Sequence, residues 1–68
     1  MLSDVEIGTL VRQGRKARKI TQIELAERMT ELGFPWHQTA VAKTERGQRA
    51  LKVTEALAIA KVFEEFDA

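Results

Sequence analysis

The sequence is poor in the residues on which much enzyme and metal chemistry depends. Its 68 residues include no cysteine and a single histidine, proline and tryptophan. Without cysteine there is no disulfide framework, no thiolate metal site and no thiol nucleophile. One histidine without cysteine cannot supply a Cys/His pair, and no glycine-rich phosphate loop is present. A metal site would need clustered His, Asp or Glu, but His37 has no histidine partner, and Glu24, Glu27 and Glu31 are interpreted as the solvent side of a helix. We therefore predict no enzyme activity, no metal site and no cofactor.

Long apolar stretches are also absent. No run approaches the roughly 20 residues that cross a membrane, and the N-terminus lacks the apolar core of a signal peptide. A chain of 68 residues has room for one domain. We expect a cytoplasmic, nucleoid-associated protein whose single domain covers residues 1–68, either complete or as the N-terminal part of a longer regulator.

The charge is segregated along the chain, although the formal net charge is only +1. Five cations and no anion lie from Arg12 to Lys19, and four more from Lys43 to Lys52 outnumber Glu45. The C-terminal end is acidic. A local positive field of this kind suits a polyanion such as DNA. The alternative is that these charges are simply the solvated faces of helices.

Capping signals predict the first two helices. Ser3 with Glu6, and Thr21 with Glu24, have the spacing of a capping box, in which a hydroxyl and a carboxylate each bond a free backbone amide. Apolar residues at helical spacing follow both boxes. The first helix is predicted over about residues 4–18.

Glycine and proline predict where the later helices begin and end. Gly33 ends the second helix, and Phe34-Pro35-Trp36 must be a loop because proline disfavours helix just before it. A third helix over about residues 38–46 ends at Gly47, and Thr54 is predicted to cap a fourth. No strand signal appears, which predicts an all-α fold, a compact bundle of four short helices or five. The predicted core face of the fourth helix is Ala56, Ile59, Ala60 and Phe63.

The third predicted helix has the side chains that reading DNA requires. Gln38, Thr39 and Lys43 share one face, and the small Ala40 and Ala42 between them permit a close approach to base edges. Glutamine can pair with adenine, lysine can reach guanine acceptors, and the threonine methyl suits thymine. Ordinary surface residues of a short helix are the alternative interpretation of each one alone.

An ordered set of residues resembles the phage repressor, Cro- and Xre-type helix-turn-helix family. The set is Thr21-Gln22-Ile23-Glu24-Leu25-Ala26, then Val41, then Glu45-Arg46-Gly47, preceded by Ile7-Gly8, Leu10 and Arg15. The resemblance covers about residues 7–63. It implies a lambda-repressor-like fold and a sequence-specific regulator of transcription, a phage or bacterial repressor that occupies an operator on double-stranded DNA with its third helix in the major groove.

The same resemblance implies roles for individual residues. Gln38, Thr39 and Lys43 would contact bases. Arg15 and Glu45 would form an ion pair between helices. The residues implied to contact DNA phosphates are Gln22, which would also brace the start of the third helix, and Arg46, Gln48 and Arg49. His37, where the family usually has a small hydroxyl residue, is predicted either to donate to a phosphate or to make a local hydrogen bond.

Two departures from the family pattern modify these expectations. The segment from Thr30 to Trp36 is several residues longer than the family turn, which predicts a longer second helix, a wider connection and a structural rather than a DNA-contacting Trp36. At the other end Val62 and Phe66 extend the apolar arc beyond a small core, where a missing segment or a second copy could pack. We expect the isolated chain to be monomeric. The rival function is a protein-interaction module on a helix-turn-helix scaffold.

Overall fold

The protein is described here by a computed structural model that covers residues 1–67. Over that range it contains four α-helices and no strand: α1 Asp4–Ala17, α2 Gln22–Glu31, α3 Gln38–Glu45 and α4 Val53–Asp67. Helix α3 packs against α1 and α2, and α4 packs against α2 and α1. The predicted all-α fold is confirmed.

Both predicted capping boxes are present and determine where α1 and α2 begin. The Ser3 hydroxyl accepts from the Glu6 amide at 3.1 Å, and the Glu6 carboxylate accepts from the Ser3 amide at 3.0 Å. Thr21 and Glu24 form the same reciprocal pair with two bonds of 3.0 Å. The bond from the backbone amide of the capping residue holds the pKa of Glu6 and of Glu24 below the ordinary carboxyl value.

The predicted start of α4 is wrong. The helix begins at Val53, and Thr54 is an exposed residue of its first turn rather than the cap. The Lys52 amide donates instead to the carboxylate of Glu55 at 2.9 Å. A carboxylate three positions into the helix thus satisfies a free amide, although the preceding hydroxyl of a capping box is missing.

The predicted buried face of α4 is wrong in part, for a related reason. Ala56 and Ala60 are exposed, whereas Ile59 is buried and Phe63 is partly buried. The buried residues are Glu55, Ala58, Ile59 and Val62. A face that begins with a glutamate cannot be found from apolar periodicity alone. Val62 therefore belongs to the core instead of extending an arc beyond it.

One apolar cluster joins the helices. Its buried members are Val11, Ile20, Leu25, Ala26, Met29, Trp36, Val41, Ala58, Ile59 and Val62, with Phe34, Ala40, Leu51, Phe63 and Phe66 packed against it. The cluster draws on all four helices and on both ends of the connection from Phe34 to Trp36. This common core therefore holds α2 and α3 together and determines which side of α3 is exposed.

A glycine sets the close approach of α1 to α3. A Cβ atom at Gly8 would overlap the carbonyl oxygen of Thr44 and lie 2.9 Å from that of Glu45. Both atoms belong to the backbone at the C-terminal end of α3, so they cannot move away as a flexible side chain could. The separation of these two helices depends on the missing side chain.

We expect Gly8→Ala to destabilise the protein. Overpacking costs about 1–3 kcal/mol, and we expect the upper part of that range because the obstructing atoms are backbone. This exceeds the gain of about 1 kcal/mol from replacing glycine within a helix. Gln13→Ala, at an exposed position of the same helix, is the control and should change stability by less than about 0.5 kcal/mol. Urea unfolding measures both variants, and equal midpoints would refute the close contact.

Candidate nucleic-acid interface

A buried ion pair connects α1 to the end of α3. Arg15 donates from Nε to Oε2 of Glu45 at 2.6 Å and from Nη2 to Oε1 at 3.0 Å. Its remaining terminal nitrogen donates to the carbonyl oxygen of Ile20 at 2.9 Å. The side chains of Arg15 and Glu45 are only 10% and 4% exposed. This bidentate contact fixes both the distance and the relative orientation of the two side chains, because the guanidinium and carboxylate planes must match.

Two glutamines continue this contact to the beginning of α3. The Gln22 amide nitrogen donates to Oε1 of Glu45 at 3.1 Å, and the Gln38 amide nitrogen donates to the Gln22 oxygen at 3.3 Å. Gln22 is the first residue of α2 and Gln38 the first of α3. The chain of bonds therefore joins α1, both ends of α3 and the start of α2. Gln22 braces the start of α3, as the family resemblance implies.

Helix α3 has one buried side and one exposed side. Val41 and Thr44 are buried, and the Thr44 hydroxyl is satisfied by the carbonyl oxygen of Ala40 at 2.8 Å. The predicted base contacts Gln38, Thr39 and Lys43 are all exposed. The three side chains that sequence reasoning assigned to bases therefore project from a helix whose other side is fixed in the core.

A polar groove runs between α1 and α3. Its lining residues are Arg12, Arg15, Lys16, Gln22, Ala42, Glu45 and Arg46. Arg12, Lys16 and Arg46 are exposed, and within residues 1–67 none of their side chains forms a hydrogen bond or ion pair. These three cations surround the neutralised Arg15–Glu45 pair and give the groove its positive charge. Arg12 and Lys16 were not predicted as site residues, although their spacing of four places them on one side of a helix.

The basic run of the sequence is divided by the fold. Arg18 turns toward α4, where it donates to the carbonyl oxygen of Phe63 at 3.3 Å and to Asp67 at 2.9 Å. Its guanidinium also lies 4.5 Å from the centre of the Phe63 ring. Arg18 therefore ties the C-terminal ends of α1 and α4 together, and the cationic side of α1 consists of Arg12 and Lys16.

The predicted phosphate contacts flank α3. His37 precedes the helix, is exposed and makes no capping hydrogen bond through its side chain; within residues 1–67 the local bond expected for it is not seen. Arg46 and Gln48 follow the helix and are exposed, and the Gln48 amide donates to the carbonyl oxygen of Lys43 at 2.9 Å. Two of these residues thus lie just beyond the last turn and one just before the first.

Arg49 has a role that the sequence did not predict. Its terminal nitrogens donate to the Glu55 carboxylate at 2.7 and 3.2 Å, and its guanidinium lies 4.9 Å from the centre of the Trp36 ring. The Trp36 indole N–H donates to the same carboxylate at 3.0 Å. Arg49, Trp36 and Glu55 form one cluster, and Trp36 is 4% exposed, in keeping with the structural role expected of it.

These donors control the ionisation of Glu55. The hydrogen bond from Arg49 is the largest influence and, with bonds from the Lys52 amide and the indole of Trp36, lowers the pKa of Glu55 to about 2 although burial opposes ionisation. Glu55 is therefore an anion at neutral pH. It compensates Arg49 inside the fold and removes that cation from the free charge of the surface.

The fold and this surface define a helix-turn-helix domain, with α2 and α3 as the paired helices. A family model described as helix-turn-helix, of the Cro/Xre type, matches residues 11–65. The chain belongs to this family, whose members are DNA-binding regulators. No curated protein and no solved structure matches the chain significantly.

Residues 1–67 contain neither a membrane-spanning helix nor a group of metal ligands. Across residues 1–67, none of the helices combines the length and apolarity required to cross a membrane. In the same part of the chain no three histidine, cysteine, aspartate or glutamate side chains cluster as metal ligands would.

We expect Glu45→Ala to lower stability by about 3–5 kcal/mol, because it leaves the buried Arg15 without its partner. The matched control is Glu31→Ala, which removes the acidic partner of Arg28 from an ion pair whose side chains are 46% and 63% exposed. That change should cost less than about 1 kcal/mol. Thermal unfolding of both variants decides the matter, and similar small losses would show that the Arg15–Glu45 pair is not needed for the fold.

The low pKa of Glu55 predicts acid sensitivity. Its folded-state pKa of about 2 lies below the ordinary 4.5, so its stabilising effect is full above about pH 4.5 and is lost as the pH falls toward 2. The difference corresponds to about 3 kcal/mol. Urea unfolding between pH 7 and pH 2 should show a smaller loss for Glu55→Gln than for the wild type, with Glu31→Gln behaving as wild type. Parallel curves for all three would contradict this assignment.

Proposed function

We propose that this chain is a sequence-specific, double-stranded DNA-binding regulator that represses transcription by occupying an operator. The observation that carries the proposal is the arrangement around α3. A slender polar side of this helix is exposed, free cations flank it in the groove beside α1, and a chain of hydrogen bonds fixes its orientation. Placing α3 in the major groove would bring side chains to base edges and the flanking cations to phosphates.

Gln38, Thr39 and Lys43 are the proposed base contacts. The bond from Gln38 to Gln22 uses one of the two N–H groups of its amide. The second N–H and the amide oxygen remain, and these are the donor and acceptor that adenine requires. The same glutamine can therefore be braced by α2 and read a base, since its orientation is set before DNA arrives.

The proposed phosphate contacts are Gln22, His37, Arg46 and Gln48, together with Arg12 and Lys16. His37 lies at the N-terminal end of α3, where free backbone amides and the helix dipole favour an anion. Arg46 is exposed beyond the opposite end of the helix. Contacts at both ends would hold the helix along the backbone on either side of the groove.

Arg49 was also predicted to contact phosphate, and we now assign it to the fold. Its guanidinium serves Glu55 and covers Trp36, so moving it to a phosphate would leave a buried carboxylate with weaker compensation. The cost of leaving a buried charge unpaired is several kcal/mol, about 3–5 in measured cases. The Arg46 side chain has no hydrogen-bond or ion-pair partner among residues 1–67. Arg46 is therefore the better residue with which to test phosphate binding.

A second candidate function is a protein-interaction module that keeps this scaffold. The observation that favours it is the exposed apolar surface of α4, where Val53 and Leu57 are 76% and 66% exposed. A partner bound there through apolar contacts would show little dependence on salt. DNA binding through several phosphates would instead weaken steeply as salt rises.

We expect Lys43→Ala and Arg46→Ala to weaken DNA binding in different ways. Loss of a base contact should reduce the preference at particular base pairs by about 1–3 kcal/mol. Loss of a phosphate contact should weaken binding to all sequences alike and lower the slope of log affinity against log salt by about 1. Lys61→Ala, which removes an exposed cation from α4, is the control for net charge.

The measurement is selection of bound sequences from a random DNA pool, followed by titrations of selected and random DNA over a range of salt. An unchanged selected motif in Lys43→Ala would remove this residue from the base contacts. Binding of the wild type that does not respond to salt would reject the DNA-binding proposal and favour the protein-interaction module.

A further inference from the structure

The beginning of α3 lacks a capping bond of its own. His37 occupies the cap position, and its side chain bonds none of the first amides. A helix of eight residues has little intrinsic stability, since isolated helices shorter than about 12–15 residues are marginal in water. The position of the first turn must therefore depend on contacts outside α3, and Trp36, next to the cap, makes several of them.

Trp36 is held on both its main chain and its side chain. The hydroxyl of Thr30, near the end of α2, lies 3.0 Å from the carbonyl oxygen of Trp36 and 3.0 Å from that of Ala26, so its single hydrogen is shared between the two. The indole N–H donates to Glu55 at the start of α4, and Arg49 covers the ring. Because α2 and α4 also share the apolar core, the residue before the cap is attached to two elements that do not contact DNA bases in our proposal.

The two ends of α3 are therefore fixed by different contacts. Glu45, its last residue, is held by Arg15. Its first residues are held through Trp36 and by the bond between Gln38 and Gln22. Lys43 lies more than one turn from the beginning of the helix and close to Glu45. A disturbance at Trp36 should consequently move Gln38 and Thr39 more than Lys43.

We propose that Trp36, with Thr30 and Glu55 as its anchors, is a positioning residue for DNA recognition that sets the start of α3 and the placement of Gln38 and Thr39 against the bases. This inference rests on the DNA-binding function proposed above. It adds a group of residues that do not contact bases themselves but determine which base pairs are read. The lengthened connection between α2 and α3 then serves specificity as well as folding.

The test compares variants that change the anchor and keep the bulk. Trp36→Phe retains an aromatic ring and loses the indole N–H, whereas Glu55→Gln retains the shape of the acceptor and loses its charge. Thr30→Val removes the hydroxyl that contacts the main chain of Trp36. It replaces either of the first two variants if that variant does not fold. Phe63→Leu is the control for general destabilisation, because Phe63 packs beside Gly14 and Arg18 at the far end of α1.

Sequence selection is carried out at a temperature where every variant remains folded. We expect the anchor variants to lose about 3- to 10-fold of the preference at base pairs that respond to Gln38→Ala, which is the effect of about one hydrogen bond. Preference at the base pair that responds to Lys43→Ala should be unchanged in all three variants. Binding to random DNA should be unchanged in Trp36→Phe and Thr30→Val, which keep the net charge; Glu55→Gln is left out of that comparison because it frees the charge of Arg49. A uniform loss at all positions, or the same loss in Phe63→Leu, would overturn the inference.

Amide hydrogen exchange without DNA separates this inference from the proposed function. In Trp36→Phe the backbone amides of Val41 and Ala42 should exchange faster than in the wild type, while that of Val11 in α1 should not. A wild-type chain that shows no sequence preference would refute the proposed function. In that case faster exchange confined to α3 would still support the positioning role of Trp36, and faster exchange throughout the chain would reject it.

Discussion

The buried pair between Arg15 and Glu45 is the interaction on which the arrangement of the helices depends most. It connects α1 to α3 across the close contact at Gly8, and Glu45 also accepts the bond from Gln22 that leads to α2. A charge in this position is tolerable only while its partner is present, because solvation by water is excluded. The pair consequently favours a single relative orientation of α1 and α3, the one that leaves the polar side of α3 exposed.

Helix α3 is too short to define its own position and is held at both ends by the rest of the protein. Glu45 fixes the last turn through Arg15, while Trp36 fixes the approach to the first turn through Thr30 and Glu55. Between these ends the buried side of α3 packs into the core. On its exposed side, within residues 1–67, only Gln38 makes a side-chain hydrogen bond to another helix. This separation explains how one helix can be rigid within the core and still have side chains available to DNA.

The arginines illustrate how the fold assigns different roles to one residue type. Arg15, Arg18 and Arg49 each donate to a carboxylate, while Arg12 and Arg46 are exposed and, within residues 1–67, without a side-chain partner. Of these arginines, only the second group contributes an uncompensated charge to the groove beside α3, together with Lys16. The modest net charge of the chain therefore conceals a local cationic surface, since most of the compensating acids lie elsewhere or are used inside the fold.

The sequence by itself determined the features that depend on short separations. Both capping boxes, the helical class and the loop at Phe34–Trp36 follow from bonds and steric limits within three or four residues, and the ion pair followed from resemblance to a family. The tertiary structure decided the rest. Glu55 as a buried anion, the use of Arg49 inside the fold and the contact of Arg18 with Asp67, 49 residues away, depend on the path of the whole chain. No local pattern specifies which distant groups will meet, because burial and charge compensation arise only when the helices pack together.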